Sequence, residues 1–285
     1  MSKPPILTLT SDFGRADFHL GRLKGHLLAR RPDLQLVDIS HEIPNYDIVQ
    51  AAFIFKKVWP HYPAGTLHLI SVNDYYQPRG RFVALEKDGQ FFIGPDNGIF
   101  SLIFGQLPQE VHVIEFPGEG EDSTAFAANS EQGEDQRKSK KKKNSPNHPG
   151  SLSAIYAWAV GQIIEGGLAG VGPVAEKRLE RIPFQPVIGK NYIRGSVVFI
   201  DKFDNALTNI SRELFEQVGQ GRGFHLQLRR NEPIDGLSFR YQDVPEGEAL
   251  IKFNSDDELE IAINLGKAAG LMSIAVEDTV QVDFE

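Results

Sequence analysis

Apolar residues in the first part of the chain follow two spacings in turn. Short runs rich in apolar and β-branched residues at 6–9, 34–39 and 66–72 predict buried strands. Between them, apolar residues recur at helical spacing from about Asp17 and again from Asp47. This alternation of strands and helices predicts a mostly parallel sheet with helices on its faces.

Downstream of these elements the pattern predicts a hairpin, a further strand and a helix. The apolar runs 82–85 and 91–93 are separated by Asp88-Gly89, which is typical of a tight hairpin turn. Residues 111–114 form another short β-rich run. Apolar residues at helical spacing over 151–164 predict a helix that two glycines end.

The last part of the chain, from Tyr192, has short β-rich runs with frequent turns, which predicts a small barrel or sandwich. The fold class is therefore α/β, with a mostly parallel N-terminal sheet and flanking helices, plus a smaller, all-β, barrel-like C-terminal domain. We expect the N-terminal domain to span residues 1–182, a linker to span 183–190 and the C-terminal domain to span 191–285. The predicted C-terminal strands are 197–200, 224–228, 249–253 and 259–263.

Residues 119–150 differ in kind from the rest of the chain. Acidic residues are followed by a basic run at 137–143, and apolar residues are nearly absent after Phe126. Such a segment cannot bury a core, so we expect a mobile surface insertion. The basic run could contact nucleic acid or anionic lipid, but its acidic flanks favour a solvated loop.

Composition narrows the class of protein. The chain has 285 residues, 41% of them hydrophobic, and no apolar run long enough to span a bilayer. The N-terminus runs directly into a predicted strand, so we expect no signal peptide and a cytoplasmic protein. Absence of cysteine excludes disulfides and thiolate metal sites, and the eight histidines show no metal-binding spacing, so we expect no metal. A net charge of −8 argues against a general nucleic-acid-binding surface.

The first candidate site lies where the first predicted strand ends. Ser11 and Asp12 follow the strand, and Gly14 can supply the sharp turn before the next helix. Open α/β sheets bind ligands at this edge, and a carboxylate there can accept hydrogen bonds from a vicinal diol such as a ribose. The alternative is that Asp12 or Ser11 only caps the helix.

Five groups of residues, taken together and in order, span nearly the whole chain and miss chiefly the insertion. They are Thr10-Ser11-Asp12-Phe13-Gly14 with Asp17 and Gly21-Arg22-Leu23-Lys24-Gly25; Asp38-Ile39-Ser40-His41-Glu42-Ile43 with Asp47 and Ala51-Ala52; Gly94-Pro95-Asp96-Asn97-Gly98; residues 198–210; and Asn254-Ser255 with Leu259-Glu260-Ile261-Ala262. This ordered set resembles the S-adenosylmethionine (SAM) hydrolase family, also called SAM hydroxide adenosyltransferases. That family includes fluorinases and chlorinases.

The resemblance implies a homotrimer in which the ligand lies between the N-terminal domain of one subunit and the C-terminal domain of the next. It also implies SAM as the substrate, with no cofactor. Carried over by position, the substrate-binding residues would be Asp12 at the ribose hydroxyls, Asp17 at the amino-acid end, Tyr46 near the sugar, Phe203 and Asn205 against the adenine, and Ser255 at the methionine portion.

Plainer structural roles exist for three of these residues. Phe203 could belong to the core, Asn205 could be a turn residue, and Ser255 could lie in a hairpin turn. The sequence leaves these alternatives open.

The chemistry that the resemblance implies is a displacement of methionine from C5′ of the sulfonium substrate by water. Methionine departs as a neutral thioether, so no general acid is needed. The protein must supply an aligned, partly desolvated water. In the family, an Asp, an Arg and a His are thought to hold that water.

This chain departs from the family at all three water-holding positions. Aligning the strands places Asn73 at the Asp position and Gly80 at the Arg position. A shift of one residue would restore Asp74 and Arg81 with the same spacing. Unless the loop absorbs the shift, it would also reverse the side-chain phase relative to the flanking strands. We therefore favour the unshifted register. The His position falls near Ser151.

Two functions follow from this comparison of residues. The first is a SAM hydrolase that gives adenosine and L-methionine, slow or silent if the unshifted register is right. The alternative is a catalytically weak or inactive homologue that binds SAM or adenosine. Halide chemistry is not supported, because the halide pocket of the fluorinases and chlorinases has no clear counterpart.

Overall fold

The chain forms two compact units in a computed structural model, Met1–Ile182 and Pro183–Glu285. The insertion predicted over 119–150, with its basic run, falls outside the part of the chain that the structure describes. The described residues are 3–74, 81–117, 151–228 and 231–285.

The first unit contains a six-stranded sheet in the order β2-β1-β3-β5-β4-β6. Parallel pairing joins β1 to both β2 and β3, and β3 to β5, whereas β4 pairs antiparallel with β5 and β6. Asp88 and Gly89 close the β4–β5 hairpin with positive φ angles of 51° and 72°, as a tight hairpin turn requires. The strands are β1 (Ile6–Ser11), β2 (Gln35–Ser40), β3 (Leu67–Ser71), β4 (Phe82–Lys87), β5 (Gln90–Pro95) and β6 (Val111–Val113).

Helices cover both faces of this sheet. Leu7 and Leu9 of β1 pack in a core with α1 and α4, whereas Ile70 and Val72, at and beyond the end of β3, pack in a second core with α2 and α3. The period-two alternation of strand side chains thus supplies two apolar faces. The helices are α1 (Phe18–Arg30), α2 (Ile48–Lys56), α3 (Ile99–Phe104) and α4 (Leu152–Gly166).

Side-chain caps fix where the helices begin. Asp17 accepts a hydrogen bond from His19 N at 2.9 Å at the start of α1, and Asp47 accepts one from Gln50 N at 2.9 Å at the start of α2. Ser151 caps α4. Because Asp17 caps α1, Asp12 and Ser11 are not its cap residues.

The second unit is an antiparallel sheet in the order β11-β10-β14-β8-β9-β13-β12, with β7 paired to β8. Ser238 N, just beyond β11, donates to Ile251 O of β12 at 2.9 Å, which brings the two ends of the sheet together in a nearly closed barrel. The predicted fold class is confirmed. The strands are β7 (Val187–Ile188), β8 (Tyr192–Ile200), β9 (Ala206–Ser211), β10 (Phe224–Leu228), β11 (Ile234–Asp235), β12 (Ala249–Phe253), β13 (Glu258–Ile263) and β14 (Thr279–Phe284).

Two short helices, α5 (Arg212–Gly219) and α6 (Ala268–Met272), accompany this sheet. Phe215 of α5 packs its ring 5.2 Å from that of Phe284, so α5 covers part of the barrel core. The pattern analysis did not predict either helix. Residues 183–190, expected to be a linker, include β7 and belong to the second compact unit.

The helices of the described residues are too short or too polar for any of them to cross a bilayer.

Candidate active site

A cleft of about 590 Å³ opens in the first unit, beside the residues that follow β1 and β3. Neighbouring parallel strands end at the same edge of a sheet, so their following loops converge there. Among the predicted site residues of this unit, the cleft brings together all but Arg81. The lining residues are Asp12, Phe13, Asp17, His19, Arg22, Asn45, Tyr46, Asn73, Asp74, Ser151, Leu152 and Ser153.

Asp12 joins the loops around the cleft. Its Oδ2 accepts hydrogen bonds from the backbone N of Tyr46 at 2.9 Å and of Asn73 at 3.2 Å. Both donor residues have positive φ angles, 69° and 53°, which L-residues seldom adopt. The carboxylate thus holds two unusual backbone turns in place. Within the described residues no hydrogen bond reaches Oδ1, so this oxygen is available to a ligand.

A buried hydrogen-bond network around His41 holds the residues on either side of Asp12. His41 is completely buried, with Nδ1 2.7 Å from Ser11 Oγ and its carbonyl oxygen accepting from Gly14 N at 2.8 Å. Its Nε2 lies 3.1 Å from Asp38 Oδ1, an ion-pair distance rather than a well-aligned hydrogen bond. Burial lowers the pKa of His41, and the nearby Asp38 only partly opposes that effect. The lowered pKa favours the neutral imidazole, whose two ring nitrogens face Ser11 Oγ and Asp38 Oδ1.

This network does not amount to a metal centre. Within the described ranges, no group of three or more His, Asp or Glu side chains is arranged to hold a metal ion. The sequence analysis included His41 in a matching stretch but gave it no role.

Asp74 lies at the buried end of the cleft lining. Its Oδ2 accepts a hydrogen bond from Ser71 Oγ at 2.7 Å, and its Oδ1 accepts one from Tyr156 OH at 2.5 Å. Burial raises the pKa of Asp74 to about 7, and the neighbouring Asp12 adds to the rise, although the two hydroxyl hydrogen bonds oppose it. Asp74 is therefore poised to gain or lose a proton near neutrality.

Tyr156 was missed by the sequence analysis. It lies among apolar residues of α4 and is fully buried, so the pattern alone assigned it to the core. The available signal was its hydroxyl, since a buried tyrosine hydroxyl needs a hydrogen-bond partner. The partner itself is distant in sequence and could not be identified without the fold.

Arg81 does not line the cleft. Its Nε donates to Asp96 Oδ2 at 2.6 Å, and its guanidinium also donates to the carbonyl oxygen of Lys177. Asp96 is further fixed because its Oδ1 accepts from Leu179 N at 3.3 Å. The predicted pair Asp74 and Arg81 is therefore separated, with only Asp74 at the cleft.

The turn at residues 94–98 has a positioning role. Asn97 Nδ2 donates to the carbonyl oxygens of Val72 at 2.9 Å and Asn73 at 3.1 Å, and so holds the segment that follows β3. A Cβ atom on Gly94 would lie 2.6 Å from Ile70 O, so only glycine allows this approach. The turn thus fixes the backbone that presents Asn73 and Asp74.

Three further predicted residues lie in the second unit. Phe203 is 77% exposed, which excludes the core alternative, and Asn205 is buried in the loop between β8 and β9. Asp201 holds that loop by accepting from the backbone N of Phe203 at 2.8 Å and of Asn205 at 2.9 Å. Ser255 is exposed in the turn between β12 and β13. Asn205 and Ser255 are thus turn residues, a placement that leaves a binding role possible.

Comparison with known proteins agrees with the resemblance seen in the sequence. Residues 7–132 match the family model of the SAM hydroxide adenosyltransferase N-terminal domain, and residues 195–281 match that of the C-terminal domain. The chain is 25% identical to an (R)-S-adenosyl-L-methionine hydrolase of Salinispora tropica over 99% of both chains. It is 27% identical to one of Thermus thermophilus over 90% of this chain and 91% of the relative.

Two further proteins are similar to this chain over nearly its full length. A fluorinase of Nocardia brasiliensis is 23% identical over 98% of this chain and 96% of its own length. The crystal structure of an uncharacterized conserved protein from Thermotoga maritima superposes with a TM-score of 0.75 at 24% identity, covering 97% of this chain and 99% of that one. This structural likeness supports the fold, and the two family models cover most of the sequence. The chain therefore belongs to the SAM hydroxide adenosyltransferase family.

Proposed function

We propose that this protein hydrolyses SAM to adenosine and L-methionine in the cleft beside β1 and β3. The observation that carries the proposal is Asp12, whose Oδ2 is fixed by two backbone N–H groups while Oδ1 is available to a ligand. Family membership supports SAM as the ligand.

The sulfonium charge of SAM matches the electrostatics of the cleft. Among the described residues that line it, three carry carboxyl groups (Asp12, Asp17 and Asp74) and one is an arginine, Arg22. An excess of negative groups raises the local concentration of a cationic substrate. The preoriented Oδ1 of Asp12 would accept from a ribose hydroxyl without reorganisation, because the rest of the carboxylate is already fixed.

In the proposed reaction the water oxygen forms a bond to C5′ as the C5′–sulfur bond breaks. The electron pair of that bond goes to sulfur, so methionine leaves as a neutral thioether, and the water gives up one proton. Asp74, with its pKa near 7, can accept that proton from within a partly desolvated cleft. Asn73 also lines the cleft, but its amide is not an effective proton acceptor.

A solvent-label experiment tests this function directly. In H₂¹⁸O, the wild-type protein is expected to convert SAM to equal amounts of methionine and adenosine, with the label at the 5′-hydroxyl of adenosine. Mass spectrometry of the products checks both the stoichiometry and the bond that forms. Release of adenine, or adenosine without the label, would show that a different bond is attacked.

The second candidate is a weak or inactive homologue that binds SAM or adenosine. The position of Arg81, held by Asp96 and the Lys177 carbonyl instead of lining the cleft, favours this candidate. Calorimetric binding of SAM or adenosine without labelled product would select it over the hydrolase.

We also propose that the protein assembles as a homotrimer, as the family resemblance suggests. Several large apolar side chains of the second unit are exposed in the single chain, including Phe203 at 77%, Phe239 at 89% and Leu265 at 83%. A subunit interface that covers these side chains would remove their apolar surface from water. Light scattering at micromolar concentration is expected to give three times the 31.7 kDa chain mass. A monomeric mass at that concentration would contradict the trimer.

A further inference from the structure

The hydroxyl groups of Tyr156 and Ser71 hold both oxygens of Asp74. We propose that these two residues are positioning residues that orient the Asp74 carboxylate toward the attacking water. The inference rests on the proposed hydrolysis and deepens it. It gives two residues outside the family's expected water-holding set a part in the reaction.

The two donors belong to two different elements of the core, α4 and β3. Tyr156 lies on α4, fully buried, with its ring 5.3 Å from that of Phe82 in an edge-to-face contact. Ser71 is the last residue of β3 and is also fully buried. Because neither donor can move without disturbing the core, the carboxylate is held in one orientation.

The buried position of the Asp74 carboxylate indicates a functional role in addition to packing. A buried carboxylate is costly, and Asp12 beside it adds a like charge that increases the cost. An apolar side chain or an amide would fill the space without that penalty. A carboxylate retained at a cleft under these conditions is typical of a functional group.

The proton balance assigns the two hydroxyls a defined role. As the water oxygen bonds to C5′, its proton passes to Asp74, which becomes a neutral carboxylic acid. The hydroxyls of Tyr156 and Ser71 donate to the ionised form before this step, so they stabilise the base in its active state. The proton then leaves to solvent and restores the carboxylate.

Removing either hydroxyl should therefore make Asp74 harder to ionise. In Tyr156→Phe and in Ser71→Ala, the pKa of Asp74 is expected to rise above that of the wild type, because a hydrogen bond that lowers it is lost. The other ionisable groups around the cleft remain as they are. Among the lining residues that the structure describes, these groups are Asp12, Asp17, His19, Arg22 and Tyr46.

The first readout needs no turnover. The ¹³Cγ signal of Asp74, assigned with the Asp74→Asn variant, is titrated by NMR in the ligand-free protein. Its midpoint is expected to move up by about one pH unit in Tyr156→Phe and in Ser71→Ala. Tyr192→Phe, which removes a hydroxyl in the second unit, is the matched control and is expected to leave the midpoint unchanged.

The second readout is the pH dependence of hydrolysis. At pH 7 we expect Tyr156→Phe to lower kcat about fivefold with little change in KM, and to regain most of the rate at pH 9. A merely structural role would lower kcat by the same factor at every pH. If Tyr156→Phe does not fold, as judged by circular dichroism, Ser71→Ala carries both measurements.

The outcomes separate the two proposals. An unchanged Asp74 midpoint in the folded variants overturns the positioning role, whatever the rate. A shifted midpoint with no wild-type hydrolysis overturns the proposed function. It would show that Tyr156 and Ser71 hydrogen-bond to Asp74 without a role in hydrolysis. A shifted midpoint together with a rate profile displaced in the same direction is the result expected.

Discussion

Asp74→Asn is expected to lower the rate of SAM hydrolysis at pH 8 by at least about tenfold, equivalent to about 1.4 kcal/mol of barrier, while making the folded protein more stable at that pH. The loss of rate follows because an amide cannot take the proton of the attacking water. The gain of stability follows because the ionised Asp74 carboxylate is buried at an energetic cost.

The pH window of this effect follows from the direction of the pKa shift. Below about pH 4, Asp74 is protonated in both the folded and unfolded chains and contributes no penalty. Between about pH 4 and pH 7 the folded state keeps a proton that the unfolded state has lost, so stability falls as the pH rises. Above pH 7 the full penalty is present.

The stability that Asp74→Asn gains above pH 7 is limited by the rise of the Asp74 pKa from 3.8 to about 7, which corresponds to roughly 4 kcal/mol. Weakened hydrogen bonds to Tyr156 and Ser71 reduce this gain by about 1–2 kcal/mol. Hydrogen bonds weakened by the substitution cost the same at both pH values. Urea unfolding is therefore expected to favour the Asp74→Asn variant more at pH 8 than at pH 5, by on the order of 2–3 kcal/mol.

Asp33→Asn is the matched control for this measurement. Arg31 lowers the pKa of Asp33, so its carboxylate contributes stability above its unfolded pKa, the opposite sign from Asp74. An Asp74→Asn variant that loses stability relative to wild type as the pH rises would contradict the assigned pKa direction. Full activity in that variant would remove Asp74 from the reaction.

The sequence predicted the six strands of the first unit, its longer helices and the position of Asp12, because these depend on local patterns. The Asp17 and Asp47 caps and the Asp88-Gly89 turn are fixed within a few residues of chain, so spacing and residue type suffice. Strands β7, β9, β11 and β14 of the second unit were not predicted. Strand β9 was missed because Thr208, Asn209 and Ser211 interrupt its apolar residues.

The register of the residues after β3 could not be predicted from strand periodicity. The argument for the unshifted register assumed that side-chain phase continues from the strand. However, β3 ends at Ser71, and the positive φ of 53° at Asn73 turns the backbone. Strand phase is therefore not carried to Asp74, and both Asn73 and Asp74 line the cleft.

The pairing of Asp74 with Tyr156 could not be predicted for a different reason. The two residues are 82 positions apart, and their meeting depends on how α4 packs across the sheet. No local pattern records such a contact. The same holds for the contact of His41 with Ser11, because Ser11 ends β1 and His41 follows β2.

Asp12→Ala is expected to weaken adenosine binding by about 1.5–3 kcal/mol, a tenfold to hundredfold rise in Kd by calorimetry. The variant loses the ligand-facing Oδ1. It also releases the backbone N–H groups of Tyr46 and Asn73, which would leave two strained turns unsupported. A loss of adenosine affinity in Asp12→Ala therefore combines two effects, the lost contact with the ligand and the disturbance of the two turns.

Asp12→Asn separates these contributions, because its amide oxygen can still accept from both backbone N–H groups while an NH₂ group replaces the ligand-facing oxygen. If Asp12 Oδ1 contacts the ribose, Asp12→Asn should keep the wild-type stability and still bind adenosine about tenfold more weakly. If Asp12 only supports the loops, Asp12→Asn should bind like the wild type and only Asp12→Ala should fail. Asp17→Ala provides the reference. The family resemblance implies that Asp17 lies near the amino-acid end of SAM, so this variant is expected to weaken the binding of SAM and leave that of adenosine nearly unchanged. Equal losses of adenosine affinity in Asp12→Asn and Asp17→Ala would place the nucleoside elsewhere in the cleft.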